Sequence, residues 1–261
     1  MSNANWNFFG QTALVTGAAG GIGAAIVRKL AAASADVVFS DLKEPEGRAL
    51  ESELRARGAN VHFFVSDAMN EGHVKALVDA AVSIKGRLDI AINNVGGIAR
   101  AQGDDGKLRV HDTDLKAWQG AIDLNLTSCF LGMKHQIIAM LPRGCGAIAN
   151  LTSLGGIRWS DATSPAYSSA KAGVIRLTQY AAAAYAASGI RVNVVAPGFT
   201  ATEIVLKVFN EEQQKQRAAN VPMKRMMMPE ELADACIWAC SDAASGVTGL
   251  TIPVDGGKLI G

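Results

Sequence analysis

Short apolar runs and longer helical patterns alternate from one end of this chain to the other. Each short run is nearly continuous in β-branched and apolar residues, as expected of parallel strands that are covered on both faces. Between the runs, apolar residues recur at the spacing of a helix. The runs that predict strands are ALVTG, ADVVFSD, NVHFFVSD, LDIAINN, GAIANLTS, IRVNVVAPG and LTIPVDGG. The segments that predict helices are residues 21–34, 46–58, 70–85, 115–141, 165–188 and 229–241.

No linker, repeat or change of composition interrupts this alternation. We therefore predict one α/β domain over residues 1–261, a single-domain Rossmann fold with a doubly wound, seven-stranded parallel sheet and helices on both faces. Two connections, 97–114 and 198–222, follow strands at their carboxyl ends, where ligands bind in open α/β sheets. We expect both to border a binding site, with 198–222 either as a lid over the substrate or as an ordinary packed helix.

Composition and charge narrow the kind of ligand. The chain has 261 residues, 49% of them hydrophobic and 19% charged, and a formal net charge of +1. Lys and Arg are scattered, which gives no footprint for nucleic acid or for an anionic membrane. The first residues, MSNANWNFFGQ, do not read as a secretory signal, and no apolar run approaches the ~20 residues of a membrane span. We expect a cytoplasmic protein with a small-molecule ligand.

The four cysteines do not indicate a metal site. Cys129, Cys145, Cys236 and Cys240 form no CxxC pair and have no matching histidines for zinc. Cys236 and Cys240 share a helix face and could touch, but buried free thiols are the simpler interpretation in a reducing compartment. We predict no metal ligands.

A glycine-rich turn follows the first predicted strand, in VTGAAGGIGAAIVRKL. Gly17, Gly21 and Gly23 leave room for the backbone to approach a pyrophosphate, and the helix that begins there offers free N–H groups to an anion. No Lys-Ser/Thr follows the last glycine, which excludes a Walker-type loop. The turn predicts dinucleotide binding, with a purely structural tight turn as the alternative.

Asp41, at the end of the second predicted strand, supports the dinucleotide interpretation. A carboxylate at this place accepts hydrogen bonds from an adenosine ribose and repels a 2′-phosphate. Gly20, and not Arg or Lys, precedes Gly21. We therefore favour NAD over NADP; the alternative is a solvated loop carboxylate or a helix cap.

Tyr167 and Lys171 lie four residues apart in PAYSSAKAG, among small side chains. At this spacing both side chains leave the same face of a helix, so their polar ends can meet over a common site. The pair is either a surface pair or part of an acid–base site.

The complete set of motifs resembles the short-chain dehydrogenase/reductase family over nearly the whole chain. Departures from the family's pattern are Val95 in place of alanine, a longer connection from Asn94 to Asn125, and Met227 before PEE. They bear on the substrate more than on the reaction. The motifs, in order, are TGAAGGIG, SDAMN with Asp67, NNVGG at 93–97, IDLNLTS with Asn125, NLTSLGG with Ser153, the YxxxK of Tyr167 and Lys171, APGFTAT at 196–202, and VDGG.

The resemblance implies hydride transfer between a nicotinamide cofactor and a carbinol or carbonyl carbon. It implies that Tyr167 is the general acid or base, that Ser153 orients the substrate oxygen, and that Asn125 distorts its helix and holds a water that links Lys171 to solvent. Taken singly, these residues could instead be a surface pair, a cap and a core amide. The implied cofactor-binding residues are Gly17, Gly21, Ile22, Gly23, Asp41, Asp67, Ala68, Asn94, Gly96, Tyr167, Lys171, Pro197, Gly198, Thr200 and Thr202.

As a base at neutral pH, Tyr167 needs a pKa well below its usual ~10, a change that costs about 4 kcal/mol at 1.36 kcal/mol per pKa unit. One positive charge ~4.5 Å away contributes about 3 to 4 kcal/mol at an effective dielectric constant of ~20. We therefore expect Lys171 to lower the pKa of Tyr167.

The segment Thr202 to Val221 begins with TEIVLKVF, and as a helix it would be amphipathic. With Leu154 and Trp159 near Ser153, it suggests a fairly hydrophobic secondary alcohol or ketone. The helices at 115–141 and after Tyr167 carry apolar or small residues beyond one face, and family members are commonly tetramers built on these two helices, so we expect a homotetramer.

Two other functions remain open. The first is reduction of a 3-oxoacyl thioester on a carrier protein, which favours NADPH and needs a basic docking patch; Asp41 and the scattered arginines count against it. The second is a dinucleotide-sensing regulator without turnover, which typically loses the tyrosine or the lysine, whereas this chain keeps both.

Overall fold

A parallel sheet of seven strands forms the centre of the protein, in the order β3-β2-β1-β4-β5-β6-β7. The computed structural model describes residues 6–97, 109–160 and 163–261. The fold is the single-domain Rossmann-like α/β fold that the alternating pattern predicts. The strands are β1 (Thr12–Thr16), β2 (Asp36–Asp41), β3 (Val61–Val65), β4 (Ile90–Asn93), β5 (Gly146–Leu151), β6 (Ile190–Pro197) and β7 (Thr251–Val254).

Helices cover both faces of the sheet because successive strand residues point to opposite sides. Ala13 and Val15 of β1 belong to one apolar core, and Leu14 between them belongs to the other. The helices of the described residues are α1 (Gly21–Ala32), α2 (Glu44–Ala56), α3 (Glu71–Lys85), α4 (Leu115–Ile122), α5 (Ser128–Met140), α6 (Pro165–Tyr185), α7 (Glu203–Val208), α8 (Glu211–Ala219) and α9 (Pro229–Cys240).

The strand order reverses between β1 and β4, which pair in parallel across the middle of the sheet. In an open α/β sheet the ligand crevice lies outside the carboxyl ends of the strands at this point. The connections that follow β1, β2, β4, β5 and β6 all start at this edge, so the motif residues that follow these strands converge there.

The predicted helix over 115–141 is divided in the structure. A π-helical turn, Asp123–Thr127, separates α4 from α5. The extra residue of such a turn shifts the helix face, and π-turns occur frequently at functional sites.

The segment 198–222 contains two short helices, α7 and α8. Asn210 begins α8 with a capping box in which its side chain accepts from Gln213 N–H and the Gln213 side chain accepts from Asn210 N–H. Phe209 has an extended backbone and ends α7. Of the long connection 97–114, residues 98–108 lie outside the described residues.

None of the helices in the described part of the chain has the length and apolar content needed to cross a membrane.

Candidate active site

Tyr167 and Lys171 lie in the first turns of α6, on one face. Ser164 precedes the helix and accepts a hydrogen bond from the Tyr167 N–H at 3.2 Å, while Pro165 occupies the first turn, where its missing N–H costs nothing. The Tyr167 ring is half-buried, and Lys171 is only 3% exposed. The Lys171 Nζ lies 5.9 Å from the centre of the Tyr167 ring.

Ser153 follows β5 and faces the same phenol. Its backbone is extended, and its Oγ accepts a hydrogen bond from Gly155 N–H at 3.1 Å. Burial raises the pKa of Tyr167, and a side-chain hydrogen bond with Ser153 acts in the opposite direction. A serine hydroxyl and a phenol therefore meet at the carboxyl edge of the sheet.

Two hydrogen bonds join Lys171 to the end of β5. The Lys171 Nζ donates to the Leu151 carbonyl oxygen at 3.1 Å, and the Thr152 Oγ1 donates to the Lys171 carbonyl oxygen at 2.7 Å. Burial lowers the pKa of Lys171 to about 8, partly opposed by the Cys129 thiol. The contribution of Thr152 was missed in the sequence; its only signal is a hydroxyl residue at the strand end next to Ser153.

The expectation that Lys171 lowers the pKa of Tyr167 is wrong for the protein without cofactor. Burial raises the pKa of Tyr167 more than the hydrogen bond with Ser153 lowers it, so the pKa is above its ordinary value. The ammonium group is directed to the Leu151 carbonyl oxygen, and its own pKa is lowered. The phenol is therefore protonated at neutral pH in the protein without cofactor.

Asn125 lies in the π-turn and is fully buried. Its Nδ2 donates to the carbonyl oxygens of Ala121 and Gly97 at 3.0 and 3.1 Å, and its Oδ1 accepts from Gly97 N–H at 2.9 Å. Both amide N–H groups are thus engaged by backbone. The expected helix distortion is present, and the side chain fixes the backbone after β4; its expected role in holding a water stays a prediction.

Gly96 lies between Lys171 and Asn125. Its φ of +153° is disfavoured for L side chains, and a Cβ there would lie 2.6 Å from the Lys171 Nζ and 2.8 Å from the Asn125 Oδ1. Glycine therefore allows the chain after β4 to pass directly over the buried ammonium group.

The glycine-rich turn after β1 has the geometry of a pyrophosphate cradle. Gly17 and Gly21 have φ values of +63° and +54°, and a Cβ on Gly23 would overlap the Gly17 carbonyl oxygen. Asn94 holds the turn, because its Nδ2 donates to the same Gly17 oxygen at 2.6 Å. Helix α1 has no side-chain cap and no acidic residue in its first turn, which contains Ile22. The backbone N–H groups of this turn are therefore available to an anion. A dinucleotide fits this turn.

The carboxylates of Asp41 and Asp67 follow neighbouring strands, β2 and β3, at the same edge. Asp41 accepts from Ala19 N–H at 3.0 Å and from Lys43 N–H at 3.1 Å, which ties it to the glycine-rich turn. Asp67 accepts from Met69 N–H at 2.9 Å, and Ala68 between them is half-buried. Asp41, Asp67 and Ala68 therefore lie at the same carboxyl edge of the sheet as the glycine-rich turn.

The loop after β6 completes the other side of the crevice. Pro197 ends β6, and a Cβ on Gly198 would lie 2.7 Å from the Asp255 Cα. Thr200 is buried, and its strand-like bridge to Met227 fixes the loop. Met227, which departs from the family's glycine, thus holds the loop through its backbone.

Thr202 caps α7 by accepting from Val205 N–H at 3.4 Å. The methyl group of Thr202 would lie 3.5 Å from a Cβ on Gly21. The start of the lid therefore lies against the cradle, and the structure brings all of the predicted site residues to one edge of the sheet.

A groove of about 620 Å³ begins at Gly155, two residues after Ser153, and runs along α6 to Ala172. Of the described residues that line it, two are arginines, Arg109 and Arg158, and none is acidic. The four cysteines are free thiols, and no cluster of metal-ligating side chains occurs in the described ranges.

Comparisons with known proteins agree with this geometry. A family model described as enoyl-(acyl carrier protein) reductase matches residues 17–258. The cis-4-hydroxycyclohexanecarboxylate dehydrogenase of Sinomonas cyclohexanicum is 42% identical over 250 residues, which cover 96% of this chain and 97% of that protein. The 2,5-dichloro-2,5-cyclohexadiene-1,4-diol dehydrogenase of Sphingobium indicum is 37% identical over 251 residues, with coverage of 95% and 96%.

A solved structure of a short-chain type dehydrogenase/reductase from Mycobacterium ulcerans has a TM-score of 0.90 to this protein at 30% identity, and covers 97% of this chain and 91% of that chain. Fold and relatives together define an oxidoreductase that acts on secondary alcohols with a nicotinamide cofactor. The chain belongs to the short-chain dehydrogenase/reductase family, as the motifs in its sequence indicated.

Proposed function

We propose that this protein is an NAD-dependent dehydrogenase of cyclic secondary alcohols, with Tyr167 as the general acid or base. The observation that carries the proposal is the meeting of Ser153, Tyr167 and Lys171 at the sheet edge that also holds the glycine-rich cradle. A proton-transfer group, an oxygen-binding hydroxyl and a cofactor cradle are the three parts that the reaction needs.

The chain's own residues manage the proton and the substrate oxygen. Ser153 donates a hydrogen bond to the substrate oxygen and stabilises its developing negative charge. Tyr167 gives its proton to that oxygen in ketone reduction and accepts it in alcohol oxidation. Lys171 is buried beside the phenol, with its Nζ 5.9 Å from the centre of the ring. A bound nicotinamide would supply the hydride acceptor or donor, and the positive charge of its oxidised ring would favour the phenolate.

Asp41 supports NAD as the cofactor. Its two carboxylate oxygens accept from backbone N–H groups of the cradle and of the next turn, so the carboxylate is fixed in place at the end of β2. A fixed negative charge here suits the two ribose hydroxyls of NAD and repels the 2′-phosphate of NADP.

The proposed substrate class is a hydroxyl group on an apolar ring. The relatives named above are dehydrogenases of a hydroxycyclohexane acid and of a cyclohexadiene diol. In this chain, large apolar side chains are exposed on the segments around the site. They are Ile157, Trp159, Ile204, Leu206 and Met223.

Steady-state rates with cyclohexanols and with NAD or NADP test the proposal. Tyr167→Phe should lose almost all turnover but should still bind NADH. Quenching of tryptophan fluorescence measures this binding. Retention of full activity by Tyr167→Phe would refute the role of the phenol, and preference of the parent for NADP would refute the cofactor assignment.

The alternatives make different predictions. A 3-oxoacyl carrier protein reductase should prefer NADPH and an acyl thioester, and a sensor should bind NADH without turnover of any alcohol.

We also propose that the protein is a homotetramer in a reducing cytoplasm. Large side chains on the two helices expected at the interface are exposed: Phe130 and Ile138 on α5 and Tyr180 on α6 are 46%, 57% and 68% exposed. Sedimentation velocity should show a species near four times 27.2 kDa. A monomer alone would contradict the tetramer.

A further inference from the structure

Arg158 lies five residues beyond Ser153, at the end of a turn that Ser153 itself begins. The turn is fixed by backbone bonds, because Gly156 N–H donates to the Ser153 carbonyl oxygen at 3.0 Å and Arg158 N–H donates to the Leu154 carbonyl oxygen at 2.9 Å. The position of the Arg158 backbone relative to Ser153 is therefore set by short-range structure, and a ligand held by Ser153 lies close to this turn.

The Arg158 side chain crosses from this turn to the C-terminal segment. Its Nη1 donates to the Lys258 carbonyl oxygen at 2.6 Å. That segment also borders the substrate side of the crevice, since a Cβ on Gly256 would lie 2.6 Å from Val221 and 3.3 Å from Met223 at the end of the lid. The guanidinium group thus stands between the serine turn and the segment behind the lid.

Among the described residues, Arg158 shares the groove lining with Arg109 and contacts the backbone of Lys258. Neither Arg158 nor Lys258 forms an ion pair with a side-chain carboxylate in the parts of the chain that the structure describes. Asp255 forms no ion pair with either residue in the described structure; its two oxygens accept from Gly257 N–H at 2.9 Å and Leu259 N–H at 2.6 Å. The Lys258 Nζ donates to the Gly261 carbonyl oxygen at 3.4 Å.

Room for a ligand exists beside the guanidinium group. Arg158 and the 83% exposed Trp159 line the groove of about 620 Å³ that begins at Gly155, whose N–H is bonded to Ser153 Oγ. Arg109 is the other arginine in its lining, and none of the described lining residues is acidic. An apolar ring against Trp159 and an anion at the guanidinium match this chemistry.

We propose that Arg158 binds a carboxylate of the substrate while Ser153 and Tyr167 hold its secondary hydroxyl group. The substrate class is then a hydroxy acid in which an apolar ring separates the hydroxyl from the carboxylate. One guanidinium N–H is taken by Lys258, and the remaining N–H groups are sufficient for a two-point bond to a carboxylate. This inference rests on the proposed dehydrogenase function and specifies its substrate.

The test compares 4-hydroxycyclohexanecarboxylate with its neutral methyl ester and with cyclohexanol, using NAD. The parent should prefer the acid. Arg158→Met should lose about 10- to 100-fold in kcat/KM for the acid, chiefly through KM, because a hydrogen bond to a charged group contributes that much to binding. The same variant should change the ester and cyclohexanol less than about 3-fold. Arg158→Lys should keep part of the preference for the acid.

Arg143→Met is the matched control, since Arg143 is exposed and lies before β5, at the opposite edge of the sheet. It should leave all three substrates unchanged. An equal loss on acid and ester in Arg158→Met would show that Arg158 acts only on the structure of the turn, and an unchanged acid rate would remove the carboxylate contact. If the parent oxidises cyclohexanol and the acid equally well, this inference fails while the dehydrogenase function stands. If the parent oxidises none of the three substrates, the proposed function fails.

Discussion

Replacement of Lys171 by methionine should stabilise the cofactor-free protein at pH 7 while it abolishes turnover. Methionine has nearly the length of lysine but no charge to desolvate. Burial lowers the pKa of Lys171 from 10.5 to about 8, and this gap corresponds to about 3 kcal/mol at 1.36 kcal/mol per pKa unit. Loss of the hydrogen bond to the Leu151 carbonyl oxygen costs about 1 kcal/mol. The expected net gain in the free energy of unfolding is about 2 kcal/mol.

The pH dependence gives the sharper test. Below pH 8 the lysine is protonated in both the folded and the unfolded chain, so the full penalty of burial is present. Between pH 8 and 10.5 the unfolded chain binds more protons than the folded one, so the parent gains stability as the pH rises. Lys171→Met lacks this gain, and the two proteins should be about equally stable near pH 10.

Urea unfolding of parent and variant at pH 7, 8, 9 and 10 measures the difference. Lys75→Met is a suitable control, because Lys75 is exposed and pairs only with Asp79 on the surface of α3. It should change stability by less than about 0.5 kcal/mol at every pH. The reasoning is refuted if Lys171→Met is less stable than the parent at pH 7, or if the difference does not change between pH 7 and 10.

Two further substitutions test the contacts around the buried lysine. Thr152→Val keeps the side-chain shape but leaves the buried Lys171 carbonyl oxygen without its 2.7 Å bond, so we expect a loss of about 1 to 3 kcal/mol in urea unfolding and a lower kcat. Thr152→Ser should restore both, and an equally large loss in the serine variant would contradict the role of the hydroxyl. Gly96→Ala should lower kcat on the order of 100-fold, because its Cβ would displace the Lys171 Nζ. A Cβ on Gly97 would meet no atom of the described residues within 4 Å, so Gly97→Ala should be nearly neutral; equal effects of the two alanines would count against the argument.

Local patterns determined much of this protein. The apolar runs predict the seven strands and their parallel pairing, because burial on both faces leaves no polar alternation. The four-residue spacing places Tyr167 and Lys171 on one helix face, and the glycines after β1 mark the turn at the start of α1. These features depend on neighbours in the chain, which a single sequence displays.

Local patterns did not predict how the segment 198–222 is divided into helices. The apolar residues after Thr202 suit an amphipathic helix, but the extended backbone of Phe209 and the capping box of Asn210 divide the segment into two helices. The capping residues are present in the sequence, but the pattern of apolar residues does not reveal them. Helix 115–141 was predicted as continuous for the same reason, since a π-turn shifts the period by a single residue only.

Tertiary structure alone decided the electrostatics of the site. The direction of the Tyr167 pKa depends on how deeply the phenol is buried, and the pKa of Lys171 depends on burial together with Cys129, which lies 42 residues earlier in the chain. Gly96 must be glycine because a lysine 75 residues away reaches it. Sequence spacing sets which side chains share an element; desolvation and contacts between distant elements depend on how those elements pack, and no local pattern encodes them.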